Sequence, residues 1–130
     1  MGKAKVKGDS TELACILAFR LKGWKVSIPY GEDSKYDLIL DTGEKLLRVQ
    51  CKFAHLSSDG SNISITCLSN NKKYLPGSID CYATVHKGKC YLIPYVNQKV
   101  ISLRLTPPKN NQKEFIRFAH DYFIGSIIQG

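Results

Sequence analysis

Asp37 sits in the run Tyr36-Asp37-Leu38-Ile39-Leu40-Asp41, and Gln50 and Lys52 sit in Leu46-Leu47-Arg48-Val49-Gln50-Cys51-Lys52-Phe53. Both runs alternate in polarity with the two-residue period of a β-strand, and Thr42-Gly43 between them supplies a reversal. Directly opposed residues of an antiparallel pair project to the same face. A two-residue loop pairs Asp37 with Arg48 and leaves Gln50 diagonal to it, whereas a four-residue loop pairs Asp37 with Gln50 directly. Either even length gathers Asp37, Gln50 and Lys52 on one face; an odd length separates them unless a bulge restores the register.

A second carboxylate comes from upstream. Glu12 precedes Cys15, Ile16 and Phe19 by three, four and seven residues, so it heads the apolar stripe of a helix. Cutting a phosphodiester needs an ion to neutralise the phosphate and activate water, and a cation to orient that water or meet developing charge. Mg²⁺ prefers oxygen ligands and is commonly held by one or two carboxylates together with substrate phosphate. Glu12 and Asp37 can supply the carboxylates, Gln50 an amide oxygen and Cys51 a main-chain carbonyl, with Lys52 beside the water or the phosphate. The alternative for Glu12 is purely structural: Asp9 as N-cap with Glu12 three residues on has the spacing of a capping box.

The elements that must position these groups can be read in outline. The helix is expected from Gly8-Asp9 to Lys22 with Gly23 as its stop. Met1 to Lys7, with Lys3, Lys5 and Lys7, reads as a flexible basic arm rather than a lead-in to the first helix, since chain ends are usually poorly ordered. Trp24, Val26 and Ile28 mark a short strand, followed by a polar loop from Tyr30 to Ser34 and then the hairpin. Ala54 to Ser61 reads as loop and Asn62 to Leu68 as a half-buried strand. Ser69 to Lys73 reads as a polar turn with two lysines. Ile79–His86 and Lys89–Pro94 form a second hairpin around Lys87-Gly88, and Lys99–Leu105 is a last strand stopped by Pro107-Pro108. After Asn110-Asn111-Gln112, a C-terminal amphipathic helix is expected with Phe115, Ile116, Ala119, Tyr122 and Phe123 on one stripe.

A chain of 130 residues suits one domain, taken as 1–130. Nineteen Lys plus Arg against eleven Asp plus Glu give a net charge of +8 and a pI near 9.3, which favours a polyanionic partner. No apolar run reaches the roughly 18 residues of a membrane span, and the basic N-terminus has no apolar segment behind it. Five cysteines with no zinc spacing point to reduced thiols, so the expected location is intracellular, cytoplasmic or organellar, and not secretory. The three histidines are dispersed, and neither a Gly-x-Ser-x-Gly elbow nor a P-loop is present.

Gly8-Asp9-Ser10-Thr11-Glu12, Tyr36-Asp37 and Gln50-Cys51-Lys52 resemble the PD-(D/E)XK nuclease superfamily, and most closely its Gln-x-Lys branch of intron-encoded homing endonucleases. The likeness extends through Leu46-Leu47-Arg48-Val49-Gln50, Tyr91-Leu92-Ile93-Pro94 and the stretch from Leu105 to Gln112. It implies an α/β, restriction-endonuclease-like fold: a mixed central β-sheet flanked by an N-terminal and a C-terminal helix. It implies Asp37 as principal metal ligand, Glu12 as a metal or water-network carboxylate, Gln50 in place of the usual acidic ligand and Lys52 as the catalytic lysine. The cofactor implied is Mg²⁺, with Mn²⁺ as substitute. The implied substrate is double-stranded DNA cut at a specific site, and the enzyme a homodimer or higher homo-oligomer. Candidate DNA contacts are Lys3, Lys5, Lys7, Lys35, Arg48, Lys72 and Lys73. The sequence departs from the superfamily in its uncharged Gln50 and in having no long helix after the lysine strand. The competing readings are a Holliday-junction resolvase, a restriction-type nuclease, or a nucleic-acid-binding module that has kept the fold without the activity.

Overall fold

The computed structural model describes residues 3–31, 33–108 and 116–127, the first five of them by backbone alone. Helix α1 spans Lys3–Leu21. It therefore begins before the predicted N-cap, and Lys3 to Lys7 of the expected arm are helical. Lys and Ala are strong helix formers, and Gly8 costs only about 1 kcal/mol relative to alanine. Asp9 and Glu12 lie in the helix interior, so the capping box is not formed and Glu12 is left for another use.

The helix ends as Gly23 predicts. Gly23 takes a φ of 84°; its N–H donates to Arg20 O at 2.9 Å and that of Trp24 to Phe19 O at 3.1 Å, a Schellman stop. The Phe19 and Trp24 rings close it with centroids 6.2 Å apart.

The strands follow as β1 (Lys25–Ser27), β2 (Leu38–Asp41), β3 (Leu46–Cys51), β4 (His55–Leu56), β5 (Asn62–Thr66), β6 (Leu68–Ser69), β7 (Lys72–Lys73), β8 (Cys81–His86), β9 (Lys89–Pro94), β10 (Val100–Arg104) and β11 (Phe123–Ser126). Six of them form a mixed sheet in the order β1-β2-β3-β8-β9-β11. Within it β3 and β8 are parallel and the other neighbours antiparallel. Helix α1 covers one face, where Cys15, Ala18 and Phe19 pack against Leu38, Leu40, Val49, Cys81, Ala83 and Cys90. Each fully buried Leu, Val or Phe there contributes about 1.5–3 kcal/mol. The opposite face, from Tyr82, Tyr91 and Ile93, packs against a three-stranded sheet, β10-β5-β4. Its inward residues Ile63, Ile65, Ile101 and Leu103 alternate with Ser64 and Ser102, as a half-buried sheet requires.

The crossover from β3 to β8 thus runs through this small sheet and a β6–β7 ribbon, and contains no helix. The ribbon replaces the turn expected over Ser69 to Lys73: Asn70 and Asn71 have φ of 51° and 63°, the type I′ conformation that closes a two-residue hairpin and that asparagine tolerates.

The α/β, restriction-endonuclease-like class holds, but the C-terminal helix does not form over the described residues. Ala119–Asp121 is one 3-10 turn, and Phe123–Ser126 adds to the sheet beside β9 through a register shift at Gly125. The open edge of β9 needs a hydrogen-bonding partner, and the aromatic and β-branched residues here satisfy it. Ala119 and Tyr122 pack on one side of the sheet and Ile124 and Ile127 on the other, which a helix could not achieve. The expected lead-in Asn110-Asn111-Gln112 and Phe115 lie outside the described residues. All five cysteines are free thiols, and no helix among the described residues is long and apolar enough to cross a membrane.

Candidate active site

The reversal between β2 and β3 has four residues. Leu38 pairs with Val49 and Asp41 with Leu46, so the loop is Thr42 to Lys45. Asp41 Oδ1 accepts the Gly43 N–H at 2.9 Å, Thr42 Oγ1 accepts the Lys45 N–H at 3.2 Å, and Gly43 takes a φ of 90°. This even length satisfies the condition set by the sequence over Leu38 to Asp41, and Asp37 lies one residue outside the paired strand.

Asp37 stands where the chain enters β2. Its N–H donates to Val49 O at 2.9 Å, and its Oδ2 accepts the Cys51 N–H at 2.8 Å. Burial raises the Asp37 pKa above the ordinary carboxylate value, while the Cys51 N–H and the positive charge of Lys52 pull it back. Burial also raises the pKa of Glu12, and the charges of Asp37 and Asp9 raise it further. The two carboxylates are therefore electrostatic neighbours, one from the helix layer and one from the sheet, and the charge of Lys52 reaches Asp37.

Lys52 leaves β3 with its N–H donating to Ala83 O at 2.8 Å. Its ammonium donates to Leu68 O at 2.9 Å and lies 5.1 Å from the centroid of the Tyr74 ring. Tyr74 is buried, its ring in a T-shaped contact with that of Tyr82 with centroids 5.8 Å apart, and its carbonyl accepts the Tyr95 hydroxyl at 2.5 Å. The ribbon and Tyr74 therefore hold the lysine, and neither was read from the sequence. The one available signal was Asn70-Asn71, a two-residue reversal followed closely by an aromatic. Gln50 is half-buried, level with Tyr82 of β8, and its amide has no hydrogen-bond partner among the described residues.

The donor set fits a hard cation. Glu12 and Asp37 bring oxygens whose ionised forms are disfavoured without a counter-charge, and Gln50 brings a neutral oxygen. Among the described residues no three His, Cys, Asp or Glu side chains gather.

The basic residues divide. Lys35, Lys72 and Lys73 line a cleft of about 530 Å³ that includes Tyr74 and so adjoins Lys52. Arg48, proposed as a DNA contact, is committed elsewhere. Its guanidinium grips Asp80 with Nε to Oδ2 and Nη2 to Oδ1, both at 3.1 Å. Its N–H reaches Oδ2 at 2.8 Å, and Nη1 donates to Gly77 O. A planar guanidinium fits a carboxylate in this two-pronged way, and here it ties β3 to the approach of β8. The side chains of Lys3, Lys5 and Lys7 lie outside the described residues.

A family of PD-(D/E)XK endonucleases matches residues 2–124. The chain belongs to this PD-(D/E)XK endonuclease family. Nucleases of this family act on DNA and typically use divalent metal ions. A solved bacterial homing endonuclease, I-Ssp6803I, is similar in fold, with a TM-score of 0.69 and 24% identity over 95% of this chain and 88% of that one. At that identity the likeness bears on fold. No curated protein matches by sequence.

Proposed function

We propose that this PD-(D/E)XK protein is a Mg²⁺-dependent endonuclease that hydrolyses phosphodiester bonds at a specific site in double-stranded DNA, as a homing endonuclease does. Asp37 carries the reading, because its carboxylate is electrostatically linked to Glu12 on one side and Lys52 on the other. Glu12, Asp37, the Gln50 amide oxygen and the Cys51 carbonyl would hold the ion, with Mn²⁺ able to replace Mg²⁺. Bound there, a divalent ion supplies charge neutralisation at the phosphate and a lowered pKa for water.

The chain's own groups do the rest. The Cys51 N–H fixes one Asp37 oxygen and so the direction of the other. Lys52 spends one N–H on Leu68 O, and an ammonium has three, so two remain for a phosphate oxygen or the attacking water. A positive charge already aimed at the reacting phosphate stabilises developing charge without reorganisation. Lys35, Lys72 and Lys73 draw the DNA backbone towards Lys52.

Residues 1–130 act as one catalytic domain with one site, and cutting both strands calls for a homodimer or higher homo-oligomer whose symmetry the target mirrors. The test is Mg²⁺-dependent cleavage of DNA by purified protein, with no cleavage in EDTA. Salt-sensitive binding without cleavage across many sequences would favour a binding module that has kept the fold.

A further inference from the structure

The Lys87-Gly88 turn between β8 and β9 stands at the same end of the six-stranded sheet as Asp37 and Lys52. Because β3 and β8 are parallel with Cys51 level with Ala83, the residues from Thr84 to His86 carry β8 about 10 Å beyond that level at about 3.3 Å per residue. Beside the turn lies a cleft of about 430 Å³ whose lining includes His86, Lys87, Lys89, Arg104 and His120, and no Asp or Glu. None of these cations belongs to the site already described.

The cleft is built rather than incidental. Lys87 and Gly88 have φ of 50° and 77°, a tight reversal with Lys87 and Lys89 on either side of Gly88. The turn carbonyl of Gly88 accepts the Ile127 N–H at 2.7 Å and the Ser126 hydroxyl at 3.3 Å, which fixes the turn to β11. Arg104 Nε donates to Thr106 O at 2.9 Å, so its guanidinium is held in place. Burial and Lys87 lower the pKa of His86, and the standing charge at neutral pH is that of Lys87, Lys89 and Arg104. Two carboxylates lie nearby: Asp59, held ionised by the hydroxyls of Ser57 and Ser61 at 2.8 and 2.7 Å and facing the charge of Arg104, and Asp121, 3.3 Å from His120; the three cations outnumber them.

We infer that this cleft is a second anion site, which grips a backbone phosphate of the same duplex to one side of the cut. The inference rests on reading Asp37 and Lys52 as the cutting site. Phosphates of one strand recur about every 3.4 Å along the duplex axis, so an offset of about 10 Å corresponds to a phosphate roughly three base pairs away.

The test is equilibrium binding of the full chain to a mixed-sequence DNA duplex of about 30 base pairs in EDTA, from about 50 to 200 mM salt. The variant is Lys87→Asn with Lys89→Ala, since asparagine tolerates the positive φ. The control is Lys25→Ala with Lys45→Ala, two exposed lysines at the opposite end of the sheet. Loss of that phosphate contact should lower the slope of log affinity against log salt by about 0.9, with the control slope unchanged. An unchanged slope in the variant, an equal fall in the control, or a wild type without salt-sensitive binding would overturn the assignment. Binding in EDTA does not depend on cutting, so a slope loss specific to Lys87 and Lys89 in a protein that never cleaves would retain the cleft and remove the cutting site.

Discussion

The main-chain N–H of Cys51 donates to Oδ2 of Asp37 at 2.8 Å. That bond joins the entry of β2 to the exit of β3 and exists only because the reversal between them has four residues. It also leaves the second carboxylate oxygen free of the strand. The residue that follows Cys51 is the lysine whose charge moderates the Asp37 pKa, so one stretch of β3 both fixes the carboxylate and supplies its counter-charge.

Asp37→Asn should lower cleavage by at least a hundred- to a thousandfold, the scale for loss of one organised charge-stabilising group, while DNA binding persists. The folded-state pKa of Asp37 is raised, so the folded protein holds a proton that the unfolded chain has already released. Stability therefore falls as pH rises from the ordinary value through the raised one, and the deficit persists at pH 7. Without divalent ions at pH 7, the asparagine variant should melt above the wild type. Added Mg²⁺ should raise the melting temperature of the wild type alone.

Glu12 gives a second pH signature. Its pKa is raised from 4.5 by burial and then by the charges of Asp37 and Asp9. Protons and metal compete for the same two carboxylates, so metal affinity should rise with pH above the ordinary carboxylate range. Mg²⁺ titrations of cleavage at several pH values should show the required concentration falling as pH rises. Glu12→Gln should weaken metal dependence and flatten that trend.

The hold on Lys52 can be separated from its charge. Tyr74→Phe keeps the ring beneath the ammonium and should cleave within about twofold of wild type, whereas Tyr74→Leu removes a contact of about 0.5–2 kcal/mol and should slow single-turnover cleavage by several-fold to tenfold. Lys52→Ala should abolish cutting in either background. Equal rates for the phenylalanine and leucine variants would show that the ring does not position the lysine.

The strand period and an even reversal were legible in the sequence because they are local, and they order Asp37, Gln50 and Lys52 along one hairpin; the approach of Glu12 from α1 is tertiary. What could not be read is set by distant partners. Leu68 O and Tyr74 reach Lys52 only through the crossover, and the helical spacing of Ile116, Ala119 and Tyr122 also suits a 3-10 turn leading into an edge strand. Tertiary pairing with β9 decides between these, and periodicity alone does not. Arg48 looked like a free cation because Asp80 lies 32 residues away.

That ion pair should dominate the local acid sensitivity. Arg48 holds the Asp80 pKa below its ordinary value of 3.8, so the pair's stabilisation is complete above that value and is lost as pH falls through the depressed folded value. Asp80→Asn should lower the melting temperature by a few degrees at pH 7 and much less at the acid end, as read by thermal denaturation across pH.

The most direct measurement is single-turnover cleavage of a randomised duplex library by wild type, Asp37→Asn and Lys52→Ala, each with Mg²⁺ and with EDTA. The wild type should make Mg²⁺-dependent cuts within one defined sequence and none in EDTA, and neither variant should cut although both still bind DNA. Cutting by the Asp37 or Lys52 variant at the wild-type rate would contradict the site assignment.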